Sequence, residues 1–161
     1  MFNKKLAIIG ASGAVGRVFI ELLDEMYPGA KDLFLVASKR SAGKSMLCGE
    51  EEFVIQDIED FDFSQVDIAF FSAGAETAEK YAPIAVSQGC TVIDNSSQFR
   101  TDSDKPLIVP EVNSRDLKDF KLPGIISNPN CSTAQLVVAL KPIHELFKIK
   151  RVDVASYQSV S

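Results

Sequence analysis

Two short stretches hold residue types that can do chemistry at the spacing chemistry needs. The first is Gly10-Ala11-Ser12-Gly13-Ala14-Val15-Gly16, a G-x-x-G-x-x-G run. Glycines at such a turn let the main chain come close to a pyrophosphate, and a following helix N-terminus favours its negative charge. The second is Asn128-Pro129-Asn130-Cys131-Ser132-Thr133. Of three cysteines, Cys48 and Cys90 read as small buried hydrophobes. Cys131 stands where an apolar run ends and a helical pattern begins. Helix-terminal N–H groups there would stabilise a thiolate, and could hold the oxyanion formed when sulfur attacks a carbonyl.

Each stretch also has a plainer reading. The glycines could only pack a helix on a sheet, and Asn130 could only cap one. The context of strand, turn, helix and strand favours nucleotide binding for the first. The end of the next apolar run refines it. An NAD site places an acid there for the ribose 2′-hydroxyl, whereas this chain has Ser38-Lys39-Arg40-Ser41. A guanidinium beside hydroxyls suits a 2′-phosphate, so NADP is expected over NAD; the alternative is a solvated basic loop. A nucleotide turn with a helix-capping cysteine suggests an aldehyde or acyl-phosphate oxidoreductase that forms a thioester.

These residues need elements to hold them. Leu6–Ile9 is wholly apolar and reads as a strand buried on both faces. Val15, Val18, Phe19, Leu22, Leu23 and Met26 have helical spacing, and Pro28-Gly29 closes that helix. Leu33–Ala37 is a second strand, Ile68–Phe71 a third, and Thr91–Ile93 a fourth. Between the last two, a helix is expected over about 76–86, ended by Gly89. Residues 50–66 read as an extra strand and connection. Residues 96–115 read as a long ordered loop around a short strand, Leu107–Val109. A strand over 124–127, a helix over 132–147 and a half-exposed strand over 152–157 complete the pattern.

Strands alternating with helices imply an α/β fold: a Rossmann-like, doubly wound, mostly parallel sheet with helices on both faces. Ligands of such sheets bind beyond the carboxyl ends of the strands, where Gly13 and Cys131 both fall. The final strand has no closing element, so residues 1–161 are expected to be a dinucleotide-binding domain cut from a longer protein.

With 46% hydrophobic and 24% charged residues the chain is neither disordered nor a disulfide scaffold. A net charge of −5 argues against a nucleic-acid partner. One histidine and no C-x-x-C pair argue against a metal site. No apolar run is long enough to span a bilayer and no signal peptide is recognisable, so a reduced cytoplasmic setting is expected.

Six segments together resemble the aspartate-semialdehyde dehydrogenase family: Gly10–Gly16, 38–44 (Ser-Lys-Arg-Ser-Ala-Gly-Lys), 95–100 (Asn-Ser-Ser-Gln-Phe-Arg), 109–113 (Val-Pro-Glu-Val-Asn), 127–133 (Ser-Asn-Pro-Asn-Cys-Ser-Thr) and 157–161 (Tyr-Gln-Ser-Val-Ser). They occur in the family's order from end to end. Related N-acetyl-glutamyl-phosphate reductases have Ser-Asn-Pro-Gly-Cys at the fifth segment, from which Asn130 departs. The resemblance implies NADPH-dependent conversion of 4-aspartyl phosphate to aspartate 4-semialdehyde, toward lysine, threonine and methionine. It implies Cys131 as nucleophile and Gln158 positioning the thioester carbonyl. Arg100 and Asn130 would hold substrate or free phosphate. Gly10, Ser12, Gly13, Ala14, Val15, Ser38, Arg40, Ser41, Ala73, Gly74 and Ser161 would contact NADP. The family's acid/base histidine is not His144, which lies 13 positions past Cys131 on one helix, a rise of roughly 20 Å. That histidine and the residues for the substrate carboxylate belong to the family's second, α+β domain, which the resemblance implies is absent from this chain. The resemblance thus implies a homodimeric or homotetrameric full-length enzyme, and a fragment that is monomeric, binds NADP and does not turn over. The competing expectations are an N-acetyl-γ-glutamyl-phosphate reductase and a non-catalytic nucleotide-sensing paralogue.

Overall fold

A computed structural model of the chain describes residues 4–28 and 32–157. Eight strands and four helices run in the order β1 (Leu6–Ile9), α1 (Ala14–Met26), β2 (Leu33–Ala37), β3 (Ser45–Cys48), β4 (Glu51–Val54), β5 (Gln56–Asp57), β6 (Ile68–Phe71), α2 (Ala75–Ser87), β7 (Thr91–Asp94), α3 (Pro110–Asn113), β8 (Ile125–Ser127) and α4 (Cys131–Phe147). Six of the strands form one sheet in the order β5-β2-β1-β6-β7-β8, and every pairing in it is parallel. The order turns back at β1, so β1 and β6 diverge at the switch point where ligands of open α/β sheets bind.

The all-apolar β1 explains the layering. Leu6 and Ile8 join Ile20 and Leu23 of α1 in one core. Ala7 and Ile9 face the other side, with Phe63, Phe71 and the α2 residues Ala78, Ala82 and Ala85. Side chains alternate across a strand, so a strand buried on both faces must be apolar at every position. The fully buried positions of α2 are all alanines, with Tyr81 and Val86 packing at the edge of the same core.

The expected strands and helices are present, with three differences. The extra strand expected in 50–66 is β4, which pairs antiparallel with β3, an unexpected strand just before that span, and is followed by the two-residue β5. Residues 107–109 do not form a strand; Leu107 makes a single parallel bridge to Ser127, and Val109 instead caps α3, whose Pro110 takes the first helical turn. The half-exposed strand expected over 152–157 is not formed either: Val152, Val154 and Tyr157 stand exposed without ladder bonds among the described residues. Alternation alone does not make a strand, because each of its main-chain groups needs a neighbouring edge to pair with.

Cys90 sits on the α2 side of the core, fully buried, and burial pushes its thiol from the ordinary 9.0 up to about 12. Below pH 9.0 the thiol is neutral in folded and unfolded chains alike. Above it the unfolded chain loses the proton and the folded chain does not. Stability is therefore expected to fall between pH 9.0 and about 12, with a limiting slope of about 1.4 kcal/mol per pH unit. Urea titrations of the wild type and Cys90→Ala across that window check this, because the alanine variant lacks that contribution to the slope.

Candidate functional site

The two chemical stretches lie at the carboxyl ends of parallel strands, at one end of the sheet. Gly10 follows β1 with φ +88, a region that side chains disfavour. A Cβ at Gly10 would stand 2.9 Å from the main-chain nitrogen of Ala73. The β1–α1 and β6–α2 turns therefore touch, and glycine is what permits it. Ser72 at the second turn ties back to β1, its N–H and its hydroxyl both donating to the Ile9 carbonyl, at 2.8 and 2.9 Å.

Gly13 caps α1 and Gly74 caps α2, and neither cap position offers a side chain to the helix N–H groups. Ala14 and Val15 open α1 directly after Gly13. Two adjacent helix N-termini with glycine caps leave donors and positive dipole ends available to an anion. The third glycine, Gly16, has a packing role: a Cβ there would collide with the Gly10 carbonyl oxygen and stand 2.8 Å from Ala11 Cα. Both partners are main chain and cannot swing aside. Gly16→Ala is expected to cost about 3 kcal/mol of stability and to displace the turn; chemical denaturation together with a nucleotide titration checks it.

Ser38 and Ser41 sit in the turn after β2, where the Ser41 N–H donates to the Ser38 carbonyl at 2.8 Å. Ser12, from the glycine turn, donates its hydroxyl to Ser41 Oγ at 3.0 Å. Ser12 and Ser41 border a cavity of about 240 Å³ that Arg17, Arg40 and Lys44 also line; Ser38 does not line it. No acidic side chain lines it. Three cations around two hydroxyls form a cradle for a dianionic phosphate. The chemistry of this donor set fits a 2′-phosphorylated nucleotide whose pyrophosphate lies at the glycine-capped helices. Arg17 and Lys44 were not singled out from the sequence. Arg17 is placed by its helix: its Nε folds back to the Ser12 carbonyl at 3.2 Å, a contact that depends on the turn's shape.

At the other two strand ends, β7 and β8 bring a second set together. Arg100 donates from Nε to the Asn128 carbonyl and from Nη2 to the Asn95 carbonyl, each at 2.9 Å. The amide of Asn128 donates to Asn95 Oδ1 at 2.6 Å. The guanidinium thus clamps the two loops together three residues before Cys131. Asn95 and Asn128 are further residues that spacing alone did not single out. Asn130 caps α4: its Oδ1 accepts from the Ser132 N–H at 3.0 Å and from the Ser132 hydroxyl at 2.6 Å. Cys131 is the first residue of α4 and is exposed, unlike the buried Cys48 and Cys90. Its thiol points toward Asn130 Oδ1 at 3.8 Å.

Beneath this set lies Asp94, fully buried at the end of β7 and opposite Ser127 of β8. Burial pushes its carboxyl above the ordinary range, while hydrogen bonds from Ser96 and the charge of Arg100 pull it down. His144 lies in the last turn of α4, at the far end from Cys131. Gln158 and Ser161 lie outside the described residues. Among the described residues no three His, Cys, Asp or Glu side chains converge to hold a metal ion, and no helix is long and apolar enough to cross a membrane.

Residues 5–120 match the family described as semialdehyde dehydrogenase, NAD binding domain. The chain belongs to this semialdehyde dehydrogenase family. The matched span includes the glycine turn, the cation cradle and Arg100. Curated relatives extend the likeness past Cys131. The aspartate-semialdehyde dehydrogenase of Shewanella violacea is 55% identical over 157 residues, 97% of this chain and 46% of its own length. That of Aquifex aeolicus is 50% identical over 158 residues, 98% of this chain and 46% of its own. The chain spans about half the length of the curated relatives it matches. Among solved structures, aspartate semialdehyde dehydrogenase II from Vibrio cholerae, complexed with ASA, superposes with a TM-score of 0.84 at 50% identity, covering 89% of this chain and 47% of that one. The Candida albicans enzyme with NADP gives 0.73 at 32% identity, covering 91% and 48%. Members of the semialdehyde dehydrogenase family are oxidoreductases, and the six-stranded parallel sheet found here is the fold of this family's nucleotide domain.

Proposed function

We propose that this chain is the NADP-binding half of an aspartate-semialdehyde dehydrogenase, which reduces 4-aspartyl phosphate to aspartate 4-semialdehyde with release of phosphate. The observation that carries the reading is the pairing of two sites at one end of the sheet: a three-cation cradle beside a glycine turn, and an exposed cysteine that opens a capped helix. The relatives named above align over 97% and 98% of the chain, a span that takes in both segments.

In this mechanism Arg17, Arg40 and Lys44 would hold the 2′-phosphate, together with the Ser12 and Ser41 hydroxyls, and the N-termini of α1 and α2, near Gly10, Gly13, Ala73 and Gly74, would take the pyrophosphate. The cofactor supplies a hydride when bound. Cys131 as thiolate attacks the acyl-phosphate carbonyl, the C–S bond forms, and the C–O bond to phosphate breaks. Arg100 receives the departing phosphate, and Asn130 orients the reacting groups beside sulfur while capping α4. Main-chain N–H groups at the start of α4 stabilise the oxyanion of each tetrahedral state. Gln158 positions the thioester carbonyl. When the aldehyde leaves, the C–S bond breaks and its electron pair returns to Cys131 as thiolate.

The setting proposed is cytoplasmic, in keeping with three unpaired cysteines, on the route to lysine, threonine and methionine. The full-length enzyme is proposed to be a homodimer or homotetramer. This chain alone is proposed to be a monomer that binds NADP without turnover, because an acid/base histidine within reach of Cys131 is not among its residues.

The test takes the natural full-length protein and follows phosphate-dependent NADP reduction with aspartate semialdehyde, and separately with N-acetylglutamate semialdehyde. Turnover of the first supports the reading. Turnover of the second alone moves the substrate to the acyl-glutamate analogue. NADP binding with no turnover of either points to a sensing paralogue. Turnover by the 161-residue chain by itself overturns the proposal that this half is inactive.

A further inference from the structure

We infer that Asp94 and Ser96 are positioning residues for the anion site: they hold the 95–100 turn so that Arg100 keeps its clamp across β7 and β8 beside Cys131. This rests on the phosphate role proposed for Arg100 and names what sets its geometry. The Asp94 carboxylate is fully buried, yet carries no direct ion pair among the described residues. Its two oxygens are spent on one neighbour: Oδ1 accepts the Ser96 N–H at 3.0 Å and Oδ2 accepts the Ser96 hydroxyl at 2.7 Å. Ser96 Oγ accepts in turn from the Gln98 N–H at 3.1 Å. This makes a directed chain, Gln98 to Ser96 to Asp94, whose polarity is fixed because a carboxylate only accepts.

The chain ends just before Phe99, which is buried in the α2-side core, and Arg100 follows. The turn is therefore pinned at its start by a buried carboxylate and near its end by a buried ring. Immediately past the second pin, Arg100 reaches the carbonyls of Asn95 and Asn128. A guanidinium on a loose turn would meet a phosphate only after paying to be ordered; here the ordering is already present in the folded protein. A buried carboxylate is costly to keep. Fastening an exposed turn that presents a cation is a use that matches its placement.

The expected effects follow from the chain's polarity. Ser96→Ala removes both hydroxyl links and leaves the Ser96 main-chain bond. Ser96→Thr keeps the hydroxyl. Asp94→Asn keeps an acceptor for the Ser96 N–H but places a donor toward its hydroxyl, reversing one link.

The experiment uses the natural full-length protein with inorganic phosphate as the probe. Two readouts are taken in parallel: the KM for phosphate against kcat, and the phosphate concentration that protects Cys131 from iodoacetamide. Asp94→Asn, which reverses one link, and Ser96→Ala, which removes two, are each expected to raise both phosphate constants by roughly tenfold or more. NADP binding is expected to stay unchanged, since the cation cradle is separate, and Ser96→Thr is expected to restore the wild-type constants. The decisive comparison is a double-mutant cycle with Arg100→Ala. If Ser96 acts through Arg100, Ser96→Ala adds nothing once Arg100 is gone. Additive effects, or a Ser96→Ala variant with unchanged phosphate constants, overturn the positioning role and leave the phosphate role of Arg100 standing. Phosphate constants that Arg100→Ala itself does not change overturn that role and the inference together. Equal loss of NADP and phosphate binding in Ser96→Ala would assign a general structural role instead.

Discussion

Cys131→Ala is expected to lower turnover of the full-length protein by roughly 10⁴-fold or more, because it removes the atom to which the acyl group must bond and leaves no alternative path of comparable rate. The folded state should hardly change. Cys131 is exposed and opens α4, and the cap of that helix comes from Asn130 rather than from sulfur. Alanine is also the most favourable residue in a helix. NADP binding should survive, since neither the glycine turn nor the cation cradle uses Cys131. A variant that retains cofactor affinity and thermal stability but loses turnover would separate chemistry from folding. The same conclusion is reachable without activity. Iodoacetamide should label Cys131 in the native chain and spare Cys48 and Cys90, both of which are buried. Labelling of all three at one rate would show that exposure at the α4 N-terminus does not govern reactivity. Turnover by Cys131→Ala near the wild-type rate would end the thioester mechanism.

Of the strands that build the sheet, β1, β2 and β6 were legible because each is short and apolar at every position, as burial on both faces demands. Leu6–Ile9 and Ile68–Phe71 are the clearest cases, and they pair directly. The three long helices were legible, α1 from the spacing of its apolar residues after the glycine turn, α2 from Gly89 at its end and α4 from its place after Asn130, whereas α3 was not. What failed was pattern without a partner. Residues 152–157 alternate as a strand does but have no edge to bond among the described residues. Residues 107–109 are apolar but are drawn into capping α3, because Pro110 favours a helix start over a ladder position.

At the site, residue type and place within a turn exposed Ser12, Arg40, Ser41 and Cys131. Residues that arrive by folding could not be seen. Arg17 follows the glycine turn in sequence but reaches the cradle only by folding back over Ser12. Asn95 and Asn128 are 33 positions apart and meet because β7 and β8 are neighbours in register. Asp94 lies one position past the strand expected at Thr91–Ile93; the structure extends that strand to Asp94 and buries it fully. Local motifs announce which groups are present; the parallel register decides which of them meet.

Replacing two of the cradle's three cations, as Arg40→Ala with Lys44→Ala, is expected to weaken NADP binding by about 10³-fold, since each charge-assisted contact to a phosphate contributes roughly 1.5–3 kcal/mol. NAD, which lacks the 2′-phosphate, should lose little. The preference between the two cofactors should therefore collapse rather than both affinities falling together. Arg17 is left in place because its Nε is already committed to the Ser12 carbonyl and supports the glycine turn. Titrating NADPH and NADH by fluorescence at two salt concentrations checks the point. In the native chain the NADPH affinity should fall with salt more steeply than that of NADH, and the double variant should lose the difference. The contrary outcome is equally informative. A double variant that keeps its preference for NADPH would mean that these side chains form only a solvated basic face. The lack of an acid at the end of β2 would then have to account for the selectivity alone, by omitting the group that rewards a free 2′-hydroxyl and repels a phosphate.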